Sequence, residues 1–212
     1  VSPERIGVVE PGVSEHACPV APPLLEAPGS APEPLRATVV ANLTPGKGIA
    51  AFLTALAAIP SSAPWTLRIV GSLDFDPDYA DRCRALAQRC PHPVEFMGSL
   101  PHHESLDVVR AGHLLVSSST MESYGMALAD ARACGIPILA RRGGNVENLV
   151  LPDRGGTLCD DAVDLATRFV RLAEDSLHLA TLSQRAHASA ERRPWTRAAA
   201  EFDDFAQHVT SR

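Results

Sequence analysis

The stretch that most limits how this chain can fold runs from His113 to Ala140. His113–Val116 is short, apolar and β-compatible, the mark of a buried strand. Ser118, Ser119 and Thr120 turn the chain, and Met126–Cys134 (MALADARAC) is rich in strong helix formers. Gly135 stands where a left-handed residue closes a helix, and Pro137 stops its continuation. Ile138–Ala140 is then a second strand. Two acids, Glu122 at the expected helix mouth and Asp130 inside the helix, stand eight positions apart.

A helix start offers free N–H groups and the positive end of a dipole, which suit a phosphate or pyrophosphate. Gly125 lets a ligand come close to the backbone there. If both acids lie along the axis, eight residues separate them by roughly 12 Å. That is about the reach of a nucleotide-sugar from its sugar hydroxyls to its ribose hydroxyls. Spacing alone favours a plainer account, with Glu122 complementing the dipole and Asp130 a solvated polar position.

The rest of the chain repeats the alternation. Strands are expected at Thr38–Ala41, Thr66–Val70 and Val94–Met97, and helices at Ile49–Ile59, Tyr79–Arg89 and Glu104–Arg110. Thr157–Cys159 adds an edge strand, and helices follow at Ala162–Glu174, Leu177–Ala190 and Thr196–Val209. This predicts an α/β fold with a doubly wound parallel sheet and ligands at the carboxyl ends of its strands. Ahead of it lie one short strand, Ile6–Val9, and a proline-crowded linker over Cys18–Leu35. The expected division is therefore 1–36 as tail and linker, 37–195 as the binding domain and 196–212 as a final helix.

Composition narrows the function. A length of 212 residues suffices for one substantial core, and a net charge of -6 without a long basic run argues against nucleic acid as a partner. No apolar run is long enough to span a membrane, although peripheral association through a local basic patch stays open. Five scattered cysteines without CxxC spacing suit reduced, mostly buried thiols and a cytoplasmic setting, with the inner membrane face allowed. Cys83 and Cys90 are expected on one helix face as packing residues.

The loops at the strand ends carry the candidate chemistry. Asn42–Gly48 (NLTPGKG) presents Lys47 between Gly46 and Gly48, but Ala41 and Gly48 break the GxxxxGK[ST] pattern of a P-loop. Asp74 and Asp76 form an Asp-x-Asp pair, read as turn-forming acids rather than metal ligands. His102 and His103 are read as solvated, for want of further ligands. Arg141, Arg142, Gly143 and Gly144 either bring basic groups and bare backbone near a phosphate or form a plain turn.

Taken in order, LTPGKG, RIVG (Arg68–Gly71), VEFMGSL (Val94–Leu100), ESYGMALADARACGIPILA and GGNVE (Gly143–Glu147) resemble the donor-binding half of retaining GT-B glycosyltransferases, the family-4 or "group 1" enzymes. The resemblance covers roughly Ala37–Trp195. It implies a Rossmann-like half of a GT-B fold and a nucleotide-diphosphate sugar as donor substrate, with no cofactor and no metal. Lys47 would pair with the diphosphate. Glu122 resembles the first acid of the Glu-x7-Glu signature, near the transferred sugar, and Asp130 replaces the second, which serves the ribose hydroxyls. Ser123, Tyr124, Gly125, Met126, Ala127 and Leu128 would offer backbone to sugar and phosphates. Gly71, Met97 and Gly98 would lie near the base, and Asn42, Gly46, Gly48, Gly143 and Gly144 complete the donor set.

Two departures stand out. Asp130 is one methylene shorter than Glu, and Asn42 stands where many members carry an arginine. Lys47, Arg141 or Arg142 and the helix dipole would then neutralise the diphosphate. The resemblance also implies a second partner, an N-terminal acceptor domain outside this chain, with apolar groups such as Trp195 or Phe202 left uncovered. Alone, the chain is expected to bind donor weakly and transfer nothing. A decayed donor-binding subunit, or an epimerase or phosphorylase of the same fold, are the alternatives.

Overall fold

The computed structural model describes residues 6–21 and 33–210. Its centre is a six-stranded sheet of β1 (Leu35–Val40), β2 (Trp65–Val70), β3 (Val94–Gly98), β4 (Leu114–Ser117), β5 (Ile138–Arg141) and β6 (Gly156–Cys159). The order is β3-β2-β1-β4-β5-β6 and every pairing is parallel, so the fold is the expected doubly wound α/β sheet. The strand order reverses between β1 and β4. The helices that follow those two strands, α1 (Ile49–Ala58) and α4 (Met126–Cys134), pack on opposite faces of the sheet, and a crevice opens at the strands' carboxyl ends.

Period-two alternation gives each face of the sheet its own core. Leu35, Ala37 and Val39 of β1, with Trp65, Leu67 and Ile69 of β2, face α1 (Ile49–Ala58), α2 (Pro77–Ala87) and α6 (Ala162–Glu174). There Phe169 packs edge-on against both Phe52 and Trp65, with ring centroids 5.8 and 5.2 Å away. Leu115 of β4, with Ile138 and Ala140 of β5, faces the other layer of α3 (His102–Arg110) and α4 (Met126–Cys134). Four-residue α5 (Val146–Leu149), α7 (Ser176–Ala188) and α8 (Trp195–Thr210) complete the helices.

Several boundaries differ from the sequence expectation for local reasons. α2 starts at Pro77, not Tyr79, because Asp76 accepts a hydrogen bond from the Tyr79 N–H at 3.0 Å and proline suits the first helical position. Asp76 is thus a cap, as its turn reading implied. α3 begins two residues early, at His102, directly after Pro101. Cys90 lies beyond the end of α2, not on a shared helix face with Cys83; it packs through Sγ, 3.8 Å from the carbonyls of Leu53 and Leu86. Cys18 is exposed, unlike the buried Cys83, Cys134 and Cys159.

The expected strand at Ile6–Val9 does not form. Instead Val13 makes a parallel bridge to Pro194, and Val13 and Ala17 are buried against the α4 side of the sheet. An apolar run with no sheet edge beside it has no ladder to join. Of the proline-rich linker, residues 22–32 lie outside the described residues. Trp195 and Phe202 on α8 are exposed. No helix among the described residues is long and apolar enough to cross a membrane.

Candidate functional site

The crevice between the β1 and β4 loops deepens into a cleft of about 1210 Å³. Its floor is the mouth of α4. Gly125 caps that helix at φ 90, no side chain caps it, and its first turn carries no acid. The first backbone bond inside the helix runs from the Ala129 N–H to the Gly125 carbonyl at 3.0 Å. The N–H groups of Met126, Ala127 and Leu128, all lining the cleft, therefore have no partner within the helix. An anion resting there meets three amides and the positive dipole end.

Lys47 and Glu122, far apart in sequence, meet in the same cleft as this mouth, with Nζ 2.8 Å from Oε1. The contact follows from how two loops are stitched together. Thr120 donates to the Gly46 carbonyl through both its N–H and its hydroxyl, each at 3.0 Å, and Ser118 Oγ donates to the Lys47 carbonyl at 2.8 Å. Gly48 permits the approach: at φ +66, a Cβ there would stand 2.2 Å from the Ser118 carbonyl oxygen. A third loop fixes Glu122 from behind. Its N–H donates to the Gly143 carbonyl at 3.2 Å, and its own carbonyl accepts from the Asn145 N–H at 2.7 Å.

Asn42, Lys47, Gly71, Glu122, Asp130 and the whole run Ser123–Leu128 line the cleft. Gly46, Gly48, Met97, Gly98, Gly143 and Gly144 are not among its lining residues. The backbones of Gly46, Gly48, Gly143 and Gly144 shape it through their loop contacts, whereas Met97 and Gly98, expected near the base, lie outside its lining. Asn42 holds a second pair of loops together, its Oδ1 accepting from the Ser72 N–H at 2.9 Å. The arginines at the end of β5, Arg141 and Arg142, do not line the site. Arg142 pairs with Glu147 at 3.3 Å and with Asp160 at 3.0 Å. Arg192 does line it, beside Val13–His16 and Pro194–Thr196, which form one wall.

One expectation needs correction. Asp130 is no solvated position: it is 6% exposed, and burial pushes its carboxyl above its ordinary value against the pull of His102. His102 is solvated as expected, with a side chain 53% exposed, but its Nε2 also lies 2.9 Å from Asp130 Oδ2. The sequence signal was the histidine pair at a helix entrance; what it lacked was a visible partner. Among the described residues, no group of three or more His, Cys, Asp and Glu stands together to hold a metal.

With this geometry in hand, the likeness to known proteins is specific. The sequence model of the family described as "Glycosyl transferases group 1" matches residues 24–193. A D-inositol 3-phosphate glycosyltransferase from Xylanimonas cellulosilytica is 30% identical over 170 residues, covering 78% of this chain and 40% of that enzyme. A GDP-mannose-dependent monoacylated alpha-(1-6)-phosphatidylinositol monomannoside mannosyltransferase from Corynebacterium glutamicum is 27% identical over 161 residues, 71% of this chain and 41% of its own length. Among solved structures, the lipopolysaccharide glycosyltransferase WaaG superposes with a TM-score of 0.75 at 18% identity, covering 97% of this chain and 57% of WaaG. Anabaena HepE in complex with UDP and glucose gives 0.69 at 24% identity, over 84% and 49% of the two chains. The chain thus spans about two-fifths of these curated relatives and about half of the solved chains.

Proposed function

Because the chain belongs to the group 1 glycosyl transferases, we propose that it is the donor-binding half of a retaining enzyme that moves a hexosyl group from a UDP- or GDP-sugar to an acceptor. The observation that carries this reading is the Lys47–Glu122 pair sharing one cleft with the uncapped mouth of α4, at the switch point of the sheet. The relatives named for GDP-mannose dependence and solved with UDP and glucose support a nucleotide-sugar donor.

In this reading the diphosphate rests on the α4 amides with Lys47 beside it. As the anomeric carbon–oxygen bond breaks, positive charge spreads over the sugar ring and negative charge grows on the departing nucleoside diphosphate. Fixed amides and an ammonium already in place stabilise that charge without reorganising. Glu122 orients the sugar, Asp130 faces the ribose end and Ser123–Leu128 supply backbone in between. Lys47 and the helix dipole neutralise the diphosphate with no resident metal; Arg141 and Arg142 take no part. The complete protein acts on the cytoplasmic side, its acceptor half supplied by sequence beyond this chain.

Isothermal titration calorimetry with UDP, GDP and their sugars tests the reading. The folded chain is expected to bind, and Lys47→Ala to weaken binding about ten- to a hundredfold, the scale of one charge-assisted contact to a phosphate. Silence of the folded parent chain across all these nucleotides refutes it. A decayed subunit is the second reading, favoured by Asn42 being committed to the Ser72 backbone in place of a cation. Turnover of a donor by the full-length protein eliminates that one.

A further inference from the structure

We propose that His102 and Asp130 work as one unit at the nucleoside end of the cleft, in which the carboxylate holds the imidazole and the imidazole accepts from a ribose hydroxyl. The proposal rests on the donor-site reading above and goes beyond it, since that reading gave the ribose end to the acid alone.

Asp130 sits five residues into α4 from Gly125, about 7 Å along the axis, the reach from a pyrophosphate to the hydroxyls of its ribose. Yet the acid is a poor direct ligand. Its side chain is only 9% exposed and its Oδ2 is already taken by His102 Nε2 at 2.9 Å. Its other oxygen, Oδ1, is buried with no hydrogen-bond partner. Being a methylene shorter than glutamate, it stays in the wall.

His102 is placed to act for it. Its side chain is 53% exposed, it opens α3 directly after Pro101, and it lines the same cleft. With the acid as carboxylate and the ring as imidazole, the carboxylate can only accept, so Nε2 carries the hydrogen and Nδ1 is left as a bare acceptor. Among the described residues Nδ1 makes no hydrogen bond; the bond to Asp130 is the ring's own. A carboxylate behind an imidazole fixes tautomer and ring orientation together. The acceptor function of the acid is thereby carried outward by one ring width.

Calorimetry on this chain with UDP and GDP, and with their 2′-deoxy and 3′-deoxy forms, tests the unit. The parent chain should prefer at least one ribonucleotide over a deoxy form by about tenfold, the scale of one hydrogen bond to a charged or polarised partner. His102→Ala should lose about that factor on the ribonucleotide and almost nothing on the deoxy form. His102→Gln, whose amide can still give to Asp130 and accept from a hydroxyl, should keep part of the preference. His102→Ala combined with Asp130→Glu should regain it, the longer acid reaching the hydroxyl itself. Equal weakening on both nucleotide types, or none, overturns the proposal while leaving the donor site standing. A folded parent chain that binds no nucleotide overturns both. Circular dichroism confirms the fold of each variant, and His102→Gln remains informative should His102→Ala be unstable.

Discussion

Lys47 and Glu122 form an ion pair in the cleft, with side chains 33% and 17% exposed. An incoming diphosphate therefore competes with Glu122 for the same ammonium. Glu122→Gln removes the competing charge, so affinity for free UDP or GDP should rise about threefold to tenfold, measured by calorimetry. Sugar transfer by the full-length protein should fall with the same substitution, because the acid near the sugar is lost. Asp130 carries a second residue-scale prediction. Burial makes it harder to ionise in the folded chain than in the unfolded one, so its contribution favours folding in acid. That contribution is lost as pH rises through the folded value, which lies above the group's ordinary one. Asp130→Asn, neutral throughout, should flatten this part of the stability profile. Urea denaturation at a series of pH values reads it, and an unchanged slope counts against the burial argument.

At the scale of elements, the site is made by two loops leaving β1 and β4 that are hydrogen-bonded to each other. Gly48 is the weak link, since it combines a left-handed backbone with a carbonyl where a side chain would go. Gly48→Ala should cost about 1–3 kcal/mol of stability by urea denaturation. It should weaken nucleotide binding as well, because Lys47 and the Ser118–Thr120 turn are pushed apart. A variant that binds as well as the parent would show that the stitching is dispensable. On the far wall, Arg193 gives two hydrogen bonds to the Glu10 carbonyl and pairs with Glu201 of α8. Glu201 is thereby held down to about 2. Glu10 and Val13 are fastened by these bonds and by the Val13–Pro194 bridge to the residues leading into α8, not by a strand of their own.

The whole molecule covers about two-fifths of the length of its curated relatives. Its cleft stays open, and Trp195 and Phe202 on α8 reach solvent. The chain alone should bind a nucleotide-sugar yet form no transfer product, whereas the full-length protein should form one with the anomeric configuration of the donor. Chromatography of the products with NMR of the new linkage decides this. Transfer by the isolated chain would mean that the acceptor site lies within these residues.

Local physics made much of the fold legible. Short apolar runs punctuated by glycine and proline placed every strand of the sheet within a few residues, and the α4 unit, with Gly125 and Gly135 at its ends, was readable from one stretch. These signals act between near neighbours, so one sequence carries them in full. Partner choice across the chain was not readable. Lys47 meets Glu122 over 75 positions, and His102 meets Asp130 over 28. Arg142, next to the expected phosphate by order along the chain, is drawn off instead by Glu147 and Asp160. A charge takes the partner that folding brings within a few ångströms, and only the packed loops determine which one that is.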